Sequence, residues 1–234
     1  MPTRADPLDE VPLLGRFGIS ALRLPSPAFP IWLLAADPSR CERLLHLLSA
    51  AERERANRFR TEGLRGRYIA AHSALRLLGE RYLGFPASSP YFEANELGKP
   101  RLWRASGTHC SISYSGPHAL VALSAGDEIG LDVETIRPIN DAHSLMEMHY
   151  TPLEQQALRR FPPASRSFDE AFLMVWVRKE ACVKALGKGL DVPLSTFECG
   201  VGMQMRIVDI GGRSISTGTF RSQQDLLVAW ARCV

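Results

Sequence analysis

Two acids stand two residues apart in "GLDVET": Asp132 and Glu134. In an extended strand such residues point to the same side, so both carboxylates share a face. A shared cation is one resolution of their repulsion; read alone, the pair is more simply a strand end with two solvated acids. A second set lies in "WVRKEACVKALGKGL", residues 176–190. Phe172, Trp176, Glu180 and Lys184 recur every four residues and form one stripe down a helix. Alone, Glu180 and Lys184 make an intrahelical ion pair worth only ~0.3–0.5 kcal/mol when exposed. That reading does not explain why the pair prolongs an apolar stripe. Together, Asp132, Glu134 and Glu180 would offer three hard oxygen donors, the partial shell that magnesium favours beside waters and phosphates. Lys179, Lys184 and Lys188 would suit a polyanion. The combination points to phosphoryl chemistry.

Three further stretches are weaker. In "ELGKPRL", Gly98 permits close backbone approach and Lys99 projects a point charge. In "SISYSG", Ser113 and Ser115 offer hydroxyls before Gly116. Arginines 53, 55, 58, 60, 65 and 67 crowd one region against Glu52, Glu54 and Glu62. Such a run is usually a solvated helix face; its functional version is a phosphate clamp, because guanidinium binds phosphate bidentately.

These groups need elements to hold them. "IWLLAA" reads as a buried strand, and "DPS" starts a helix with Asp37 as N-cap, continuing through Leu44, Leu45, Leu48 and Ala51. A second helix spans roughly 64–82, with Leu64, Tyr68, Ala71, Leu75 and Leu78 on one face. "CSISYSGPHALVALSAG" and "EIGLDVETI" read as strands. "TPLEQQALRR" starts a helix from a Thr N-cap, and another helix covers about 167–187. The tail reads as strands, with Gly211-Gly212 as a hairpin turn. Helices followed by strands occur in both halves, and "HALVALSAG" is patterned like "DLLVAWARC". This predicts a duplicated α+β unit with its boundary near residues 125–127.

Composition narrows the function classes. The chain has 234 residues, 45% hydrophobic and 23% charged, as a folded soluble protein does. Net charge is +3, too little to argue for nucleic-acid binding. The apolar run "FPIWLLAA" is far short of the ~20 residues of a membrane span, and the N-terminal residues lack a signal-peptide core. A cytoplasmic protein is expected. Five cysteines without a CxxC and six scattered histidines disfavour a disulfide framework and a zinc site.

In order, "ELGKPRL", "SISYSG", "GLDVE" and "WVRKEACVKALGKGL" resemble the motif set of the Sfp-type 4'-phosphopantetheinyl transferases: GKP, a serine-histidine-serine-glycine segment, GxDxE, and W-x-x-KE-x-x-x-K with a GKGL ending. The last two motifs are the specific ones, and the match spans roughly residues 52–190. The resemblance implies transfer of 4'-phosphopantetheine from coenzyme A to a serine of an apo acyl or peptidyl carrier protein, releasing 3',5'-ADP. It implies Mg2+, with Mn2+ as substitute, held by Asp132, Glu134 and Glu180. Lys184 resembles the lysine near the diphosphate. Gly98, Lys99, Ser113 and Tyr114 fall at coenzyme A contacts, Arg55 and Arg67 at phosphate-holding positions, and Glu154 at a glutamate proposed as base. The serine proton could go to Glu180, to Glu154 or to a metal-bound water. Tyr114 departs from the family histidine, and tyrosine supplies no positive charge near neutral pH.

The implied fold is α+β: two similar α/β subdomains with the active site at their interface. Residues 1–126 would carry the coenzyme A phosphate contacts, and 127–234 the metal ligands and catalytic helix. The length fits the duplicated type, so a monomer is expected, with no nucleic acid or membrane partner. Carrier-facing groups are expected near the loop after Glu134 and the helix from Thr151. Two rivals stand beside this reading: a non-catalytic coenzyme A or carrier-protein binding module, and a nucleic-acid binder built on the arginine run.

Overall fold

Strands, several of them mostly buried on both faces, pair into two four-stranded antiparallel sheets. The first consists of β1 (Ile19–Leu24), β2 (Ile31–Ala36), β5 (Thr108–Ser115) and β6 (His118–Ala125), in the order β1-β2-β6-β5. The second consists of β7 (Ile129–Thr135), β8 (Arg206–Ile210), β9 (Arg213–Arg221) and β10 (Leu226–Cys233), in the order β7-β10-β9-β8. A small ribbon pairs β3 (Phe92–Ala94) with β4 (Pro100–Leu102). The computed structural model describes residues 14–15, 19–24, 26, 28–84, 86–88, 92–94, 100–102, 107–187, 191–222 and 225–234.

Helices cover one face of each sheet. Asp37 caps α1 (Pro38–Cys41), its carboxylate accepting from the Ser39 N–H, and the chain continues as a 3-10 turn over Glu42–Leu47. The single helix expected through Ala51 does not form. Ser49 takes an extended backbone and starts a new helix, α2 (Ala50–Asn57), through a capping box with Glu52. Next come α3 (Glu62–Leu83), α4 (Ala142–His149), α5 (Pro152–Leu158) and α6 (Arg166–Leu186). Both long helices, α3 and α6, end on a left-handed glycine, Gly84 and Gly187.

Three apolar clusters follow from this layering. Trp32, Leu34 and Val121 on the first sheet pack with Ile69, Leu75 and Leu78 of α3. Leu227 and Ala229 on the second pack with Val177, Ala181 and Ala185 of α6. The intervening residues, Ile31, Leu33 and Leu120 from one sheet and Leu131, Val133 and Val228 from the other, form a shared core between the sheets. This is the duplicated α+β architecture that the sequence predicts, and the chain crosses from one sheet to the other between β6 and β7.

The sheets also meet along a seam. Ser111 Oγ accepts from Leu131 N at 2.9 Å, Ser115 Oγ accepts from Thr135 N at 2.9 Å, and Ser113 Oγ donates to Asp132 Oδ1 at 2.8 Å. Both strands run in the same sense along this line. The alternate serines of "SISYS" thus link edge strand β5 to edge strand β7, where no ladder joins the two sheets.

Candidate active site

Period-two geometry decides where the acids go. Ile129, Leu131 and Val133 enter the core between the sheets, so Gly130, Asp132 and Glu134 face α6. Gly130 lets them come close. A Cβ there would overlap the Ala181 carbonyl oxygen and the Ala185 backbone nitrogen, so only glycine admits this strand-to-helix contact. The helix then presents Glu180 and Lys184, one turn apart, to the strand's carboxylates.

Asp132, Lys184 and Ser113 form a closed triangle. Lys184 Nζ lies 2.6 Å from Asp132 Oδ1 and 3.1 Å from Ser113 Oγ, and Ser113 donates to the same Asp132 oxygen. Asp132 is buried, whereas Lys184 is half-buried. Burial raises the Glu180 carboxyl above its ordinary value; the Asp132 charge adds to the rise and Lys184 opposes it. Burial likewise raises Glu134, against the pull of Arg137, whose Nη1 is 3.4 Å from Glu134 Oε2. Asp132 and Glu180 add to that rise, while Lys184 opposes it. The three acids therefore feel one another across strand and helix. Among the described residues, no group of three His, Cys, Asp or Glu side chains is disposed to hold a metal ion, so the ligand set expected of Asp132, Glu134 and Glu180 is not assembled. The amine of Lys184 occupies Asp132 instead.

Trp176 does not merely pack. It lines an open cavity of about 310 Å³ together with Glu134, Arg137, Leu145 and Phe172, and His149 meets its ring edge-on at 5.6 Å. Of the three acids, Glu134 lines this cavity.

A second group assembles on the other face of β5. Because neighbours on a strand point oppositely, Tyr114 turns away from Ser113 and packs under α3. The Arg67 guanidinium stacks 4.8 Å from its ring centre and donates to the Gly116 carbonyl. Burial raises the Tyr114 hydroxyl, with Tyr68 adding to the rise, while Arg67 and Arg55 lower it. Arg55 is exposed on α2. Among the described residues, the buried Tyr114 Oη and Arg67 Nε have no hydrogen-bond partner. The structure therefore brings together Arg67 and Tyr114, with Arg55 on the neighbouring helix α2, and separately Ser113, Asp132, Glu134, Glu180 and Lys184. Gly98, Lys99 and Lys188 lie outside the described residues.

Glu154 is placed elsewhere, and this corrects its reading as a base. It is 1% exposed, and its carboxylate is fully engaged. Oε2 takes the Thr151 N–H at 2.9 Å and Lys179 Nζ at 2.8 Å; Oε1 takes the N–H groups of Cys199 and Gly200. Lys179 is also withdrawn from any polyanion: it is fully buried and donates to the carbonyls of Leu194 and Phe197. Its neighbour Arg178 is buried as well, bonded to Thr219, Cys199 and Gln204. Two adjacent cations within an apolar helix were the available signal for this anchoring role. The expectation that Lys179 suits a polyanion gives way to that role.

The matching family description is the 4'-phosphopantetheinyl transferase superfamily, over residues 128–224. The chain is 33% identical over 174 residues to the 4'-phosphopantetheinyl transferase HetI of Nostoc sp., covering 72% of this chain and 73% of that protein. It is 30% identical over 170 residues to a putative 4'-phosphopantetheinyl transferase of Synechocystis sp., with 72% and 68% covered. To the 4'-phosphopantetheinyl transferase Sfp of Bacillus subtilis it is 28% identical over 159 residues, 67% of each. The chain belongs to the 4'-phosphopantetheinyl transferase superfamily.

Proposed function

We propose that this protein transfers the 4'-phosphopantetheine moiety of coenzyme A to a serine of an apo acyl or peptidyl carrier protein, with release of 3',5'-ADP. The observation that carries the reading is the set of three mutually coupled carboxylates, Asp132, Glu134 and Glu180, with Lys184 in contact. An oxygen-only donor set of this kind would suit Mg2+, with Mn2+ as substitute, once Lys184 is drawn off Asp132. The ion, when bound, would neutralise charge on the diphosphate. Lys184 would leave Asp132 for the diphosphate and stabilise charge on the leaving phosphate. Arg55 and Arg67 would hold the phosphates of the nucleotide end, and Tyr114, in place of the family histidine, would support Arg67 through its ring. Gly98, Lys99 and Ser113 complete the proposed coenzyme A contacts.

The carrier serine oxygen forms a bond to the β-phosphorus as the bond to the 3',5'-ADP oxygen breaks. With Glu154 enclosed, Glu180 would be the carboxylate to accept the serine proton. The proposed subdomains are residues 1–126 and 127–234. Met148 and Leu153, exposed at the junction of α4 and α5, support carrier docking on that side. A monomer in the cytoplasm is the proposed state; among the described residues, no helix is long and apolar enough to cross a membrane.

The test is incubation with coenzyme A, Mg2+ and a panel of apo acyl and peptidyl carrier proteins, read by intact-mass spectrometry. Phosphopantetheine on the carrier serine is expected. Its absence across the panel, with coenzyme A still bound, would favour the non-catalytic binding module.

A further inference from the structure

The run of arginines has an acid at its centre that faces inward. Glu52, in the first turn of α2, is enclosed by α3. Its Oε1 pairs with His72 Nδ1 at 2.9 Å, and its Oε2 accepts from Arg76 Nη2 at 2.6 Å and from the Ser49 N–H at 2.7 Å. Arg76 is 1% exposed and also donates to the Ala87 carbonyl, so it is fixed from both sides. His72 stacks on Tyr68 with ring centres 4.0 Å apart, and Tyr68 meets Phe59 just beyond α2.

Arg53 ties α2 back to the Leu45 and Leu48 carbonyls of the preceding turn, but not to α3. Ala56 is its one fully buried side chain, and its other bond to α3, from Arg65 to Asn57, is exposed. Arg55 lies three residues after Glu52, on the same helical face. The Arg55 charge reaches the Tyr68 and Tyr114 hydroxyls. Arg67 lies on α3, so the placement of Arg55 relative to Arg67 follows from how α2 sits on α3.

We infer that Glu52 is a positioning residue: by tying α2 to His72 and Arg76 of α3, it holds the helix that carries Arg55 in place on the helix that carries Arg67, for the phosphates of a nucleotide. This rests on the assignment of that group to the phosphate-bearing end of coenzyme A. Glu52 touches no substrate, and its effect is exerted through Arg55.

Calorimetric binding of 3',5'-ADP to the full chain tests it, using wild type, Glu52→Gln, Arg55→Ala and the double variant. Glu52→Gln should bind about tenfold more weakly. The double variant should match Arg55→Ala within about twofold, because the two losses are one loss. In turnover, Glu52→Gln should raise KM for coenzyme A by a similar factor and leave kcat within about twofold, since binding rather than the chemical step is affected. His72→Gln, which leaves the Arg76 pair intact, should give a smaller loss of about threefold and covers the case in which Glu52→Gln does not fold. Wild-type affinity in both the Glu52 and His72 variants, or multiplicative losses in the double variant, would overturn the inference alone. Failure of wild type to bind 3',5'-ADP would overturn the phosphate-site assignment beneath it.

Discussion

Lys184 Nζ stands 2.6 Å from Asp132 Oδ1, so the helix contributes the counter-cation for an acid on the strand. The lysine is half-buried and has a long flexible stem, whereas Asp132 is nearly enclosed. The cation is the member of the pair free to re-aim when phosphate arrives.

Replacing it tests that role. Lys184→Met should lower kcat/KM for coenzyme A by about 10²–10³, the scale of losing one transition-state donor. Steady-state transfer assays over a range of coenzyme A concentrations measure this, and an undiminished kcat would remove Lys184 from the chemistry.

Glu180 should show activity and stability moving in opposite directions. Its carboxyl is raised in the folded protein, so the folded state holds the proton more tightly than the unfolded chain. Stability without divalent cation therefore falls as pH rises from the ordinary carboxylate value through the raised one. Glu180→Gln removes that penalty. At pH 7 without metal its Tm should rise by roughly 2–4 °C, equivalent to about 1 kcal/mol in a chain this size, while transfer is abolished. A Tm below wild type would contradict the electrostatic account.

Gly130→Ala should be severe although it adds only one methyl group. The groups it meets are backbone atoms of α6, which cannot rotate aside. Overpacking of this kind costs about 3 kcal/mol, or roughly 6–12 °C in Tm. Transfer should fall as the strand is pushed from the helix. A variant with unchanged Tm would show that the contact is looser than described.

Lys179 and Glu154 are predicted to matter for stability. Lys179→Met leaves a buried carboxylate without its cation and should cost about 3–5 kcal/mol. Adding Glu154→Gln should recover much of this, because the amide oxygen can still accept from Cys199 and Gly200. Urea midpoints measure both variants. Transfer activity in the folded Glu154→Gln protein would confirm that Glu154 is not the base.

Acid should loosen α2. Burial alone would raise Glu52, but its bond to His72 and the charges of His72 and Arg76 outweigh this and hold it at about 2, from an ordinary 4.5. A lowered carboxylate stabilises the fold above the unfolded value, and that stabilisation is lost as pH falls from 4.5 toward about 2. Thermal melts across this window should decline less steeply for Glu52→Gln than for wild type.

Much of this site was legible in the sequence for simple reasons. Period-two alternation put Asp132 and Glu134 on one face, and period-four spacing put Glu180 and Lys184 on one stripe. The same alternation separates Ser113 from Tyr114, although the two were grouped as one contact segment. The Thr151 N-cap fixes a helix start, but the resemblance that suggests Glu154 as base says nothing of the capping box that engages its carboxylate. Its partners, Lys179 and the Cys199–Gly200 N–H groups, are distant in sequence and come together only on folding. Ser49 was missed as a helix break because the apolar spacing around it runs on through Ala51. The close approach at Gly130 left no trace beyond a glycine in a strand.

The serine seam has a consequence for how this protein is to be regarded. One half brings Arg55, Arg67, Tyr114 and Ser113; the other brings the three carboxylates and Lys184. Each half alone would be chemically mute. Since Ser113 bonds directly to Asp132, any slip of the joint reaches the carboxylates through a single hydroxyl. Turnover is thus a gauge of docking between the halves, and a damaged joint would register as lost activity before either half unfolds.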